Sequence, residues 1–313
     1  MSKQWTAAEV PDQSGRTAII TGGNSGIGYF AALELARKGA NVVLACRSVD
    51  KGKQAARDIE KAVPKAQVSV EPLDLASQGS IHSLAAQWLG DARPLDLLIN
   101  NAGVMALPKR TETQDGFEMQ FGTNVLGHFA LTGLLLPALT ATSQTATEAP
   151  RIVTLASIAH LRGRIELDNL QSEKKYEPME TYSQSKLGDL MFALELDRRL
   201  QACGSRVESI AAHPGVAPTQ LFLRDAPAWQ RPMRRVVGVF MGIALNTAEK
   251  GALPTLYAAT SAEAKPGGYY GPTGLMEARG PVGLAKVSDR AQNRTIAAQL
   301  WERCEELTGV RFP

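Results

Sequence analysis

The chain has 313 residues, 44% apolar and 21% charged, so it can bury a large core and is not compositionally disordered. Its 34 lysines and arginines against 31 acids leave a net charge of +3, too small to imply nucleic acid or another polyanion as partner. Three widely spaced cysteines lack metal-ligand spacing, and neither an apolar run of 18 residues nor a secretory h-region occurs; a cytoplasmic protein with no metal is expected.

After an arm over residues 1–14, β-branched runs alternate with longer helical stretches. TAIIT at Thr17–Thr21 predicts the first strand, followed by a helix through Ala31–Lys38. A strand predicted at Asn41–Ala45 precedes a helix over about 50–62, and one at Val68–Glu71 precedes a helix near Ser80–Leu89. Next come a predicted strand at Leu95–Ile99, a long helix through Phe117–Leu136, a strand at Arg151–Leu155 and a helix over Thr181–Leu200. Val207–Ala211 is the last clear strand, and a helix is expected near Ser288–Leu307. Such alternation predicts an α/β fold, a doubly wound parallel sheet between two helical layers. No repeat or linker divides the chain, so a single domain over 15–313 is expected, with insertions at 161–180 and 217–245.

Thr21-Gly22-Gly23-Asn24-Ser25-Gly26-Ile27-Gly28 lies between the first strand and the first helix. Glycines let the backbone turn sharply and approach a phosphate, while the helix N-terminus offers free amides. A dinucleotide site is expected there. An NAD site usually places an acid at the end of the second strand. Here that strand ends Ala45-Cys46-Arg47-Ser48, and Arg47 offers a planar cation for a 2′-phosphate. NADP(H) is therefore expected in preference to NAD(H).

Thr181-Tyr182-Ser183-Gln184-Ser185-Lys186 opens a predicted helix, where a spacing of four puts Tyr182 and Lys186 on one face. Leu187, Leu190, Met191 and Leu194 fall on another stripe, so the pair need not point into the core. A cation beside the phenol favours phenolate and makes Tyr182 a candidate general acid/base. Ser183 and Ser185 have no accompanying base, so nucleophilic catalysis by either is not expected; His128 and His160 have no second metal ligand, and structural roles are expected for both.

These residues, with Asp74-Leu75, Asn100-Asn101-Ala102-Gly103, Asn124, Ser157 and His213-Pro214-Gly215 in order, resemble the short-chain dehydrogenase/reductase family. The resemblance implies a Rossmann-type fold and interconversion of a carbonyl and an alcohol by hydride transfer. It implies a catalytic set of Asn124, Ser157, Tyr182 and Lys186: Ser157 stabilising the substrate oxygen, Tyr182 moving the proton, Asn124 holding a relay water. It also implies cofactor contacts from Gly22, Asn24, Ser25, Gly26, Ile27, Gly28, Asp74, Leu75, Asn101, Ala102, Gly103, Tyr182, Lys186, Pro214, Gly215 and Thr219. Asn100 is expected to make structural hydrogen bonds beneath the turn. An epimerase or dehydratase sharing the Tyr/Lys pair and a non-catalytic NADP(H) sensor or scaffold are the alternatives.

Ser157 and Tyr182 stand farther apart than is usual for the family. That insertion, with Ala45–Ser48 and Thr123–Phe129, resembles the retinol dehydrogenase and protochlorophyllide reductase branch. The branch implies NADP(H) and bulky lipophilic aldehydes, ketones or tetrapyrroles, in a family of frequent homodimers and homotetramers. RPMRRVVGVFMGIAL at Arg231–Leu245 reads as a lid over an apolar pocket or a core helix, with membrane contact the least favoured reading.

Overall fold

The structure, a computed structural model, describes residues 4–216 and 246–313. The expected lid region 217–245, with Thr219, lies outside the described residues. In chain order come β1 (Thr17–Thr21), α1 (Gly26–Arg37), β2 (Asn41–Cys46), α2 (Val49–Ala62), β3 (Gln67–Pro72), α3 (Gln78–Gly90) and β4 (Leu97–Asn100). The single turn α4 (Met119–Phe121) passes through a π-helical turn at Gly122–Leu126 into α5 (Gly127–Ser143). β5 (Arg151–Leu155), a 3-10 segment at Ile158–Arg162, α6 (Pro178–Ala202) and β6 (Glu208–Ala212) follow. The last described elements are α7 (Ala248–Thr260), β7 (Tyr269–Pro272), β8 (Val282–Leu284) and α8 (Arg294–Thr308).

Among the described residues eight strands make one sheet, ordered β3-β2-β1-β4-β5-β6-β7-β8, parallel except where β8 meets β7. Alternate residues of each strand point to opposite faces. Ile19, Val43 and Leu98 pack with Trp88, Phe129, Leu190 and Trp301, whereas Ile20, Leu44, Leu97 and Ile99 pack with Leu35, Ile59 and Leu256. Both faces are thus covered, which is why the strands read as continuous apolar runs. The helical segment Met119–Ser143 is long and apolar enough to cross a membrane by length and composition, and 72% of that window is buried as core.

Several boundaries move for local reasons. β4 starts after Leu95 and Asp96, because the Leu95 amide donates to Thr142 Oγ1 and Asp96 Oδ2 accepts from the Thr17 amide. α6 begins early, with Pro178 at its first position, where a missing N–H costs nothing. α8 begins late, where Asn293 accepts from the Ile296 amide as N-cap and Gly309 closes the far end at φ 70°. The glycine- and proline-rich stretch after Pro266 holds two strands that composition does not suggest. Gly271 is required inside β7 because a β-carbon there would lie 1.9 Å from His213 Nε2.

The 161–180 insertion ends in the first turn of α6, and its irregular part is tied to the loop after β4. Tyr176 Oη donates to the Leu107 carbonyl at 2.7 Å, and Arg110 Nε donates to the Gln171 carbonyl at 2.9 Å. The Glu166 amide donates to Gln184 Oε1 of α6 at 2.9 Å. The insertion therefore forms a wall beside the end of β4.

Candidate active site

The chain leaves β1 for β2 and β3 on one side, and β4 pairs on the other, so a crevice opens at their carboxyl ends. Gly22 (φ 66°) and Gly26 (φ 58°) turn the backbone there in a region that favours glycine. A β-carbon on Gly22 would lie 3.0 Å from Ala102 Cβ, and one on Gly28 only 2.5 Å from Asn101 Nδ2. Asn101 Nδ2 donates to the Thr21 carbonyl at 2.8 Å, while Thr21 Oγ1 accepts from the Asn101 and Ala102 amides at 2.9 Å each. The glycine turn and Asn101-Ala102-Gly103 are thus one packed unit. Asn100 lies beneath it, donating to Thr132 Oγ1 at 3.0 Å.

Asn24 is half-buried, Ser25 and Gly26 are exposed, and Ile27 and Gly28 are buried. Ser25, the N-cap of α1, makes no side-chain capping bond, which leaves the opening amides to an incoming anion. Arg47 and Ser48 are exposed at the end of β2, and Ser48 likewise leaves the N-terminus of α2 uncapped by its side chain. Asp74 is half-buried after β3, one carboxylate oxygen accepting from the Ala76 amide at 3.0 Å; Leu75 beside it is buried. Gly215 has φ 74°, and a β-carbon on Gly251 would lie 3.4 Å from both Ile27 Cγ1 and Pro214 Cβ, placing Pro214 on the same rim. Narrow glycine cradles and two open helix N-termini fit a dinucleotide. Gly22, Gly28 and the α1 amides would hold its pyrophosphate.

Asn124 is fully buried in the π-helical turn. Its Oδ1 accepts from the Val104 amide at 2.8 Å, and its Nδ2 donates to the Val104 carbonyl at 3.0 Å and to Ser185 Oγ at 2.9 Å. Ser185 Oγ donates in turn to the Tyr182 carbonyl at 2.8 Å. Asn124 therefore clamps the loop after β4 to the start of α6, and Ser185 is the second half of the clamp. Nothing in the sequence separates Ser185 from Ser183; only the phase of the helix against the π-turn does.

Lys186 departs from expectation, being buried rather than turned from the core. Its Nζ donates to the Leu155 carbonyl and to Asp189 Oδ2, both at 2.8 Å. Burial opposes its charge, but the Asp189 carboxylate, with negative charge at the Tyr182 oxygen when it ionises, outweighs that and holds the ammonium above its ordinary value. A β-carbon on Gly103 would lie 3.1 Å from Asn124 Oδ1 and 3.7 Å from Lys186 Nζ, so all three meet at the end of β4. Tyr182, one turn earlier, is half-buried, with no hydrogen bond to its hydroxyl among the described residues. Ser157 Oγ, after β5, accepts from the Ala159 amide at 3.2 Å, which leaves its own O–H to donate elsewhere. His160 is buried behind it, Nδ1 donating to the Ser157 carbonyl at 2.7 Å.

Comparison with known proteins places the chain among related enzymes. The profile of the short chain dehydrogenase family matches residues 16–228. Human retinol dehydrogenase 13 is 40% identical over 301 residues, covering 96% of this chain and 86% of its own. Mouse polyprenol dehydrogenase is 38% identical over 301 residues, covering 96% of this chain and 86% of its own. Among solved structures, an uncharacterized protein from Mycobacterium paratuberculosis is 41% identical with a TM-score of 0.80, covering 99% of this chain and 100% of that one. The Pseudomonas aeruginosa RhlG/NADP complex shares the fold at 23% identity and a TM-score of 0.61, over 82% of this chain and 94% of that one.

The chain belongs to the short-chain dehydrogenase family and is an oxidoreductase acting between carbonyl and alcohol. Within the family it is retinol dehydrogenase-like.

Proposed function

We infer that the protein is an NADP(H)-dependent oxidoreductase that interconverts a carbonyl and an alcohol on a lipophilic aldehyde, ketone or retinoid-like substrate. One observation carries the reading: a Tyr182 phenol without a bonding partner among the described residues stands one helical turn from a buried, cationic Lys186. A nicotinamide dinucleotide, when bound, supplies or accepts the hydride. Ser157 donates its hydroxyl proton to the substrate oxygen and stabilises the charge that develops there. Tyr182 delivers a proton to that oxygen in reduction and withdraws it in oxidation. Lys186 stabilises the phenolate, because a buried cation acts through a low dielectric. Its third N–H is left for a bound ligand, since Leu155 and Asp189 take the other two. Asn124 and Ser185 hold α6 against the crevice so that Tyr182 keeps its place.

Arg47 supports NADP(H), since it is exposed at the open N-terminus of α2 with no ion pair among the described residues. Relatives named for retinol and polyprenol support a lipophilic substrate. The test is turnover of purified protein with NADPH or NADH against a panel of retinoids, long-chain aldehydes, ketones and quinones. NADPH-linked reduction of an apolar carbonyl is the expected result, and absence of turnover across the panel with both cofactors would contradict it.

A further inference from the structure

Lys186 and Asp189 form an ion pair on α6, Nζ to Oδ2 at 2.8 Å, with side chains only 7% and 2% exposed. A buried pair of this kind gains little stability over apolar side chains of equal volume, because lost hydration offsets the attraction. Asp189 is also incompletely satisfied, its Oδ1 being buried with no hydrogen-bond partner among the described residues. A carboxylate held at that cost beside the candidate catalytic lysine acts on the lysine.

The groups around the pair leave Asp189 alone in this role. Tyr182 faces it from α6, Tyr269 from β7, Cys304 from α8 and His128 from the α5 side. Burial drives Tyr269 and Cys304 far up, so both stay protonated, and drives His128 down to about 3, so it stays neutral. Burial raises Asp189 itself to about 6, which leaves it ionised at neutral pH. Without that charge Lys186 would keep its whole burial penalty, opposed only by a Tyr182 phenolate.

We propose that Asp189 is a positioning residue, whose carboxylate keeps Lys186 charged and turns its ammonium so that one N–H remains for the reacting side of the crevice. The proposal rests on reading Tyr182 and Lys186 as the acid/base pair. Asp189→Asn keeps the shape and an acceptor for Nζ while removing the charge. Titration of apoprotein carrying isotope-labelled lysine, with Lys186 assigned through Lys186→Arg, reads the ammonium by NMR without turnover. In Asp189→Asn the Lys186 proton is expected to leave about two pH units lower or more. An unchanged midpoint overturns the proposal.

The pH profile of alcohol oxidation gives a second readout. Its rising limb should move about one unit higher, with kcat down about tenfold and substrate KM changed less. A limb that stays or moves lower overturns the proposal, because Asp189 would then be packing or merely repelling the phenolate. Should wild-type protein turn over no carbonyl, the functional reading falls while the NMR titration still decides this one. Should Asp189→Asn fold poorly, adding Lys186→Met removes the unpaired cation. Recovery of the wild-type melting temperature supports the coupling, and continued instability overturns it.

Discussion

His128 Nε2 lies 2.9 Å from Thr21 Oγ1, and its Nδ1 lies 2.8 Å from the Asn124 carbonyl, so one buried ring spans the glycine turn and the π-helical turn. A carbonyl only accepts, so Nδ1 carries the proton and Nε2 accepts from Thr21. The ring is neutral, burial pushing it down to about 3. This is the structural role expected for His128, with the addition that it joins the cofactor cradle to the Asn124 clamp.

Replacing His128 with Phe leaves the Thr21 proton and the Asn124 carbonyl without the ring, a loss of about 1–3 kcal/mol. Denaturant unfolding should also change its pH dependence. A histidine depressed from 6.5 to about 3 is neutral in the fold while the unfolded chain takes up a proton. Its contribution is therefore full above 6.5 and is lost as pH falls from there toward about 3. The wild type should show one more proton of slope in that window than His128→Phe. Parallel curves would show that the ring is not buried neutral.

Gly28→Ala tests the packed unit beneath the cofactor. Its β-carbon would fall 2.5 Å from Asn101 Nδ2, the atom that holds the Thr21 carbonyl. Overpacking of this kind costs about 1–3 kcal/mol, and displacement of Asn101 should weaken cofactor binding about tenfold or more. Calorimetric titration with NADPH and NADP measures it.

Arg47→Ala should raise KM for NADPH by about tenfold or more and leave KM for NADH within about twofold, as expected for loss of a charge-assisted phosphate contact. Equal loss with both cofactors would remove the 2′-phosphate from the account of Arg47.

Tyr176→Phe removes the hydrogen bond to the Leu107 carbonyl that ties the insertion to the loop after β4. If this wall shapes the substrate pocket, substrate KM should rise about three- to tenfold for the loss of this bond and of the one Tyr176 Oη accepts from Gln120 Nε2, with cofactor affinity unchanged. Steady-state kinetics with each ligand varied separately distinguishes the two.

The parallel frame is legible in the sequence because β1, β2, β4 and β5 are apolar on both faces, and the loops after them carry the glycine turn, Arg47, Asn101 and Ser157. β7 is not legible, since Gly271 and Pro272 read as a turn, and Gly271 is explained only by the His213 ring packed against it. Tyr182 and Lys186 are found by their spacing, yet helical phase alone does not reveal that Lys186 is buried. That depends on Leu155 and Asp189, which supply acceptors inside the fold. Ser185 and Asp189 escape notice for the same reason: each matters through a partner on another element or through burial, and neither carries a motif of its own.

Tyr182 is the residue proposed to move the proton. Single-turnover reduction of a retinoid or long-chain aldehyde by NADPH, comparing wild type with Tyr182→Phe, tests it most directly. The expected result is a rate lower by about a hundredfold or more, with NADPH affinity and melting temperature retained. An unchanged rate in a folded, cofactor-binding Tyr182→Phe protein would contradict it.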